Sequence, residues 1–293
     1  MKTKIHLRIS EIPSIIGYNP YSNIKQIVLR IWEKTNKEDF CSTSLNLVKK
    51  KIIDNSFSKD EDVIAHHSKK YNIDFDGQLK ACRTAETSQE LKVNSNNILN
   101  AVEDNKQISQ NDKKIIQNSL HQLTKTNYGQ HHENSVIILY SQIHKMKVGK
   151  QQKFVRKKIA FSDLYEWHIT GKVDGIREDN VLIEVKNRVN KLFMTLRPYE
   201  NVQIQIYLHL LKLKKGQLVE CFKHSDETEM NVIEVDYDPK MWKEIKKKIE
   251  IFINFFCLFM ITPDIKYLFL TGSDNEINKY YDNYCMSQLI MEN

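Results

Sequence analysis

Glycine and proline are scarce in this chain of 293 residues, at 8 and 5, while lysine, asparagine and isoleucine abound. That imbalance reads as a coding bias toward AT-rich codons, so a single lysine or asparagine carries little weight. Neither GxxxxGKS/T nor GxGxxG occurs, which argues against the glycine loops of nucleotide-driven chemistry. Cys41, Cys82, Cys221, Cys257 and Cys285 are odd in number, widely scattered and form no CxxC pair. A disulfide framework, a zinc ribbon and an iron–sulfur cluster are therefore poorly supported, and a reducing compartment is the natural home. His66-His67 and His131-His132 are tandem, so neighbours point apart, and Cys221-x2-His224 is a lone half-site. Long apolar runs are missing as well. IFINFFCLFMIT at 251–262 is too short to span a bilayer and carries Asn254, so it reads as a buried helix. The opening MKTKIHLRIS lacks the apolar core of a signal peptide. A soluble, intracellular protein with no membrane partner is expected.

What is present is ordinary in bulk: 41% hydrophobic, 28% charged, and Lys+Arg 44 against Asp+Glu 37, a net +7. The length suffices for one large domain or two small ones. The charge excess modestly favours a polyanionic partner. RISEIPSIIGYNPYSNIKQIVLRIWEK (8–34) predicts a helix capped by Ser10 and ended at Gly17, a turn at Asn19-Pro20, and a second helix. Residues 37–125 are polar and irregular, with helices predicted near 44–54, 87–103 and 110–125. A further helix is predicted over 128–145, carrying Glu133. Then KFVRKKIAF, YEWHITGKVDGI and VLIEVKN read as consecutive strands. An amphipathic helix follows over 199–216, ending at Gly216, then strands in QLVECFKH and MNVIEVDY. Asp238-Pro239 opens a helix through about 260. The expected fold class is α/β (α+β): a central mixed β-sheet flanked by helices, with a mostly helical N-terminal part. The expected organisation is an N-terminal helical part (1–36), a helical polar insertion (37–125) and a core (126–293), or all of these as one domain.

Within GKVDGIREDNVLIEVKNR (171–188), Glu184 and Lys186 are two apart in a strand and share a face. A hairpin turning near Glu178-Asp179-Asn180 sets Asp174 roughly opposite Glu184. Facing carboxylates repel. A divalent cation between them removes that penalty, and all-oxygen ligands suit Mg²⁺ or Mn²⁺. The alternative, a solvated strand face, stays open on this pattern alone. Glu133 lies shortly upstream as a third carboxylate. Gln203 and Tyr207 are i, i+4 on one helical face, beside the apolar stripe of Ile204, Leu208 and Leu211. Residues 134–162 hold Lys145, Lys147, Lys150, Lys153, Arg156, Lys157 and Lys158 and no acid, a track that suits phosphates or simply a solvated basic surface.

The order Glu133, Asp174, Glu184-Val185-Lys186, Gln203-x3-Tyr207 resembles the PD-(D/E)xK nuclease core, a restriction-endonuclease-like fold. More narrowly, with RISEIPSIIGYNPYS and GQHHE, it is similar to the phage lambda-type exonucleases, the YqaJ-like viral recombinases. The resemblance covers roughly 8–34 and 126–225. It implies metal-dependent digestion of one strand of duplex DNA from its end, 5′ to 3′, with Mg²⁺ (or Mn²⁺) as two ions. Asp174, Glu184 and the Val185 carbonyl would be metal ligands, with Glu133 completing the cluster directly or through water; Lys186 would position or activate the attacking water, and Gln203 would organise the site with support from Tyr207. Ser10, Arg188, Tyr207, Lys153 and Arg156 are the implied nucleic-acid contacts. Duplex ends, a single-strand annealing protein and a homo-oligomer are the implied partners. Val173 stands where the superfamily name has proline, and the insertion puts the phage enzyme's ring-shaped trimer in doubt. A structure-selective endonuclease, an RNA-degrading nuclease and a non-catalytic DNA-binding subunit remain alternatives.

Overall fold

The chain begins with a strand beyond those expected. β1 (Thr3–Arg8) buries Ile5 and Leu7 and turns Lys4, His6 and Arg8 the other way. The computed structural model to which it belongs describes residues 2–21, 23–49, 60–149, 151–161, 164–225 and 227–291. Part of the helix expected at 44–54, and Lys150 of the basic track, lie outside them. After β1, a single 3-10 turn (Ile9–Glu11) leads into the short helix α1 (Ile12–Ile15). Arg8, not Ser10, takes the capping position, and Ser10 sits exposed inside the turn. The cause is Glu11: its carboxylate accepts the Arg8 backbone N–H at 3.3 Å and pairs with Arg30 at 2.6 Å, so the turn starts earlier. Gly17, at φ +77°, ends the segment as expected. α2 (Ile24–Thr35) follows, capped by Asn23, with Ile24, Ile27, Val28, Ile31 and Trp32 buried.

Helices α3 (Lys37–Lys49), α4 (Asp60–Tyr71), α5 (Phe75–Thr84) and α6 (Ser88–Asp104) precede a helix of 35 residues, α7 (Gln110–His144). The two helices expected at 110–125 and 128–145 are thus one, running through residue 125. α7 shows no single apolar stripe because its halves serve different cores. Ile116, Leu120 and Leu123 pack with Phe75, Leu91 and Ile98, whereas Val136, Ile137 and Tyr140 pack on strand residues Val181, Ile183 and Val185.

The remaining strands are β2 (Val148–Gly149), β3 (Lys153–Phe161), β4 (Tyr165–Val173), β5 (Gly175–Arg177), β6 (Val181–Arg188), β7 (Lys215–His224) and β8 (Glu227–Asp236). The fold is the expected mixed α/β class, but the sheet is divided. One sheet has three strands in the order β1-β4-β3, and the other has five in the order β2-β5-β6-β7-β8. The division falls at Asp174, where the chain leaves β4 and enters β5. β6 and β7 are parallel, joined by α8 (Pro198–Leu211). α8 stops at Lys212, which adopts the left-handed conformation at φ 57°, four residues before the expected end. Gly216 belongs to β7 instead. A Cβ there would meet Ile204 at 3.2 Å, so glycine lets the strand lie close under α8.

α9 (Pro239–Ile261) is capped by Asp238, whose carboxylate accepts the Lys240 N–H at 2.8 Å. It packs Phe252 and Phe256 against Trp167, and Phe255 and Phe259 against Phe269. Each phenyl side chain buried this way is worth about 1.5–3 kcal/mol. α10 (Pro263–Thr271) and α11 (Asp274–Met291) close the same core. Among the described residues, no single helix is long and apolar enough to cross a membrane.

Candidate active site

The site grows from the point where the sheets part. β5 pairs with β6 only through Gly175–Ile183 and Ile176–Leu182. Extending that register by one residue sets Asp174 opposite Glu184, the arrangement expected from the hairpin. Beyond Ile183 the β6 backbone has lost its β5 partner, and Asp174 substitutes for it: Oδ2 accepts the Val185 N–H at 2.8 Å. Asp174 and Glu184 are both buried.

Glu184 is the hub. Its Oε1 accepts from Lys186 Nζ at 2.7 Å and from Gln203 Nε2 at 2.7 Å, so strand and helix α8 meet on one oxygen. Lys186 Nζ also lies 3.5 Å from Gln203 Oε1. Glu184 Oε2 is buried with no hydrogen-bond partner among the described residues, an expensive condition for a carboxylate oxygen. Glu133, from the α7 side, is half-buried and accepts from Gln152 Nε2 at 3.0 Å. Gln152 was not singled out in the sequence; it stands in a polar turn, which gave no signal. Tyr207 donates to the Lys172 carbonyl at 2.6 Å and is buried, so it braces β4 from inside. A Cβ on Gly171 would come within 2.6 Å of that hydroxyl, which keeps the position glycine.

The charges are strained in a consistent direction. Burial pushes the Asp174 carboxyl well up, Glu184 and Glu133 push it further, and Lys186 and the Val185 N–H only partly offset them. Burial and Glu184 likewise raise Glu133. For Lys186 burial pulls downward, but Glu184 and Asp174 outweigh it and hold the ammonium above the ordinary lysine range. Burial, then the same carboxylates, raise the Tyr207 hydroxyl.

These features bear on a metal. Among the described residues no three His, Cys, Asp or Glu side chains are already gathered around one point. The donor chemistry nevertheless fits a hard cation: all the acids are carboxylates, they repel one another, and the orphaned Glu184 Oε2 is a buried acceptor without a donor.

The other expected site residues are placed elsewhere. Arg188 is not exposed to a substrate: Nη1 lies 2.9 Å from Glu200 and Nη2 2.6 Å from Glu220, with the guanidinium 4.2 Å over the Phe193 ring. Tyr207 is likewise spent inside the fold. Ser10 is exposed at the end of β1. Lys153 and Arg156 are both exposed on β3, but three residues apart they point to opposite faces of the strand. Asn187, also unannounced, donates to the Gly129 carbonyl at 2.8 Å and so fixes α7, hence Glu133, to β6.

No protein-family model matches this chain, and no curated protein matches it. Among solved structures it is similar to a phage related exonuclease from Haemophilus somnus 129PT, at 13% identity and TM-score 0.37, over 46% of this chain and 72% of that one. It is similar also to an alkaline exonuclease from Laribacter hongkongensis, at 12% identity and TM-score 0.37, over 64% of this chain and 87% of that one. The same enzyme in complex with dAMP aligns at 13% identity and TM-score 0.37, over 65% and 88%. Likenesses this weak bring no residue roles to this chain.

Proposed function

We propose that this chain is a metal-dependent DNA exonuclease that digests one strand of duplex DNA from its end, 5′ to 3′, in recombination, repair or replication. The observation that carries the reading is the meeting of Asp174, Glu184, Lys186 and Gln203 at the unpaired edge of β6, with Glu184 Oε2 left without a partner among the described residues. Asp174, Glu184, the Val185 carbonyl and Glu133 are the donors for Mg²⁺ or Mn²⁺. When bound, such an ion supplies Lewis-acid polarisation of a phosphoryl oxygen and acidification of a water.

The chain's own groups do the rest. Lys186 keeps its proton because Glu184 and Asp174 hold its charge. In that form it is a donor that can orient the attacking water and stabilise charge developing on phosphorus oxygens. Gln203 holds Oε1 of the Glu184 carboxylate, which leaves Oε2 as the acceptor open to an ion. In the reaction a water oxygen bonds to phosphorus as the P–O3′ bond breaks, the water gives up one proton to solvent and O3′ takes one up, and the released nucleotide keeps its 5′ phosphate.

The test uses linear duplex DNA labelled at one end, with and without a 5′ phosphate, beside closed circular DNA, each with Mg²⁺. Wild-type protein should degrade only linear DNA, faster with the 5′ phosphate, and Lys186→Ala should not. Cutting of circles sinks the exonuclease reading in favour of an endonuclease. Attack on RNA alone, or binding with no cleavage at all, sinks the DNA nuclease reading.

A further inference from the structure

One face of the three-stranded sheet packs Ile5, Leu7, Val155, Trp167, Ile169 and Val173 into the main core. The opposite face is different in kind. β1 runs parallel to β4 with Lys4 beside Glu166, His6 beside His168 and Arg8 beside Thr170. β3 runs antiparallel to it with Phe154 beside Lys172, Arg156 beside Thr170 and Lys158 beside His168. Paired residues in adjacent strands point to the same side. Lys4, Arg8, Arg156, Lys158 and Lys172 therefore share one exposed surface, on which Glu166 is matched by Lys158 at 3.0 Å.

Three further details distinguish this face from a merely solvated one. Phe154, at its rim, is 57% exposed, a poor use of an aromatic ring unless something covers it. The His6 and His168 rings stack at 5.4 Å in the middle of the charge. His168 is buried, yet its Nδ1 has no hydrogen-bond partner among the described residues. The face also has a direction. Lys172 lies two residues before Asp174, and Gln152, in the turn just before β3, bonds to Glu133, so the end bearing Phe154 and Lys172 abuts the acidic cluster. From Lys4 to Arg8, and on to Lys172, the surface extends roughly 15–20 Å at strand rise.

We propose that this face is a lane for single-stranded nucleic acid, holding a strand along β4 with its phosphates on Arg8, Arg156, Lys158 and Lys172 and a base stacked on Phe154. Positive side chains in a row answer the backbone charge of a strand. An exposed ring favours a single strand over a duplex, because only unpaired bases offer their faces for stacking. The purpose of the lane, leading a strand to or from the acidic site, rests on the nuclease reading above; its binding does not.

Binding is measured without metal, in EDTA, by anisotropy of a fluorescent oligo(dT) of about 12 nucleotides, a length such platforms cover. Arg156→Ala/Lys172→Ala should weaken binding and lower the log–log salt slope by roughly 1.4, about 0.7 per lost phosphate contact. Phe154→Ala should weaken it about tenfold with the slope unchanged. Lys92→Ala, on α6, should bind as wild type does. Phe154 is exposed, so its variant keeps the test valid if the double variant folds poorly. Wild-type affinity in Phe154→Ala, equal losses in Lys92→Ala, or a preference for duplex that these variants do not disturb would each overturn the lane. If the wild-type protein cleaves nothing but the variants lose oligonucleotide binding as described, the nuclease reading fails and the lane stands. If Lys186→Ala stops cleavage and the lane variants bind normally, the lane alone fails.

Discussion

Replacing Arg188 by leucine removes a cation from between two carboxylates that have almost no water. Glu200 and Glu220 keep side-chain exposures of 1% and 0%, and Arg188 itself 10%. Arg188 Nε also donates to Glu220 at 2.8 Å, and Glu220 in turn accepts from the Phe193 and Met194 backbone and from Asn231. Breaking a buried pair from one side costs about 3–5 kcal/mol, since the remaining charge stays buried. Against a total stability of about 5–15 kcal/mol this is a large fraction. At about 2–4 °C per kcal/mol for a chain of comparable size, the thermal midpoint should fall by roughly 10 °C. The pH dependence should change sign as well. Burial pushes the Glu220 carboxyl up, but Asn231 and Arg188 outweigh it and hold it below the usual glutamate range. In wild type that contribution is therefore present above the unfolded pKa of about 4.3 and fades as pH falls through the lower folded value. Without Arg188, burial dominates, the folded value rises, and acidification toward pH 5 should narrow the gap between variant and wild type. The assay is circular dichroism melting across pH 5–8, with oligonucleotide and duplex binding measured on the same samples. An unchanged midpoint together with weakened DNA binding would refute the reasoning and restore Arg188 as a phosphate contact.

Asp174→Asn should raise the stability of the metal-free protein at pH 7: the folded carboxyl is pushed up by burial, Glu184 and Glu133, so its ionised form costs stability above the unfolded value of about 3.9. The gain should vanish as pH falls and wild-type Asp174 protonates, and Mg²⁺ binding by calorimetry should be lost in the variant; a lower midpoint at pH 7 contradicts the account. Gly171→Ala drives a methyl to 2.6 Å from the Tyr207 hydroxyl and 2.8 Å from Ile9 Cδ1, an overpacking of about 1–3 kcal/mol that denaturant melts would detect. Gly171→Ala/Tyr207→Phe should recover part of that loss, and no recovery would mean Ile9 alone sets the limit. Asp112 is held down to about 2 by its bonds to Lys70 and Tyr71. Asp112→Asn should thus be less stable than wild type above about pH 4, with the difference disappearing as pH drops toward 2.

How much of this could be read in advance depended on the range of the interaction that decides each feature. The Asp174–Glu184 juxtaposition needs only the two-residue period of strands and a turn near Asn180, whose φ of 66° shows how tightly the chain reverses there. Gln203 and Tyr207 needed only helical spacing. β1 is signalled only by Ile5 and Leu7 alternating with polar neighbours, a run too short to stand alone, and its partner lies more than 150 positions along the chain. Gly216 looked like a helix terminator because glycine after an amphipathic run normally is one; the crowding by Ile204 that requires it there belongs to tertiary structure. The single helix α7 was split because its buried side changes partway along. A cation just past an acidic strand reads as a substrate contact, whereas the partner of Arg188, Glu220, is 32 residues away on a neighbouring strand.

The shortness of β5 ties these pieces together. A longer β5 would pair with β6 through Lys186, cover the Val185 N–H with a backbone carbonyl, and close the edge on which Glu184 and Lys186 stand. Because β5 begins only after Asp174, the carboxylate of Asp174 has to satisfy that N–H. One of its oxygens is thereby fixed to the sheet, and the acid is held buried beside Glu184, so that burial first and repulsion second raise its pKa. The same break frees β4 from the five-stranded sheet, so that β4 takes β1 and β3 as partners and presents the basic face. The carboxylate cluster and the basic face are thus two consequences of one bend, and a change that straightened the chain at Asp174 should disturb both together.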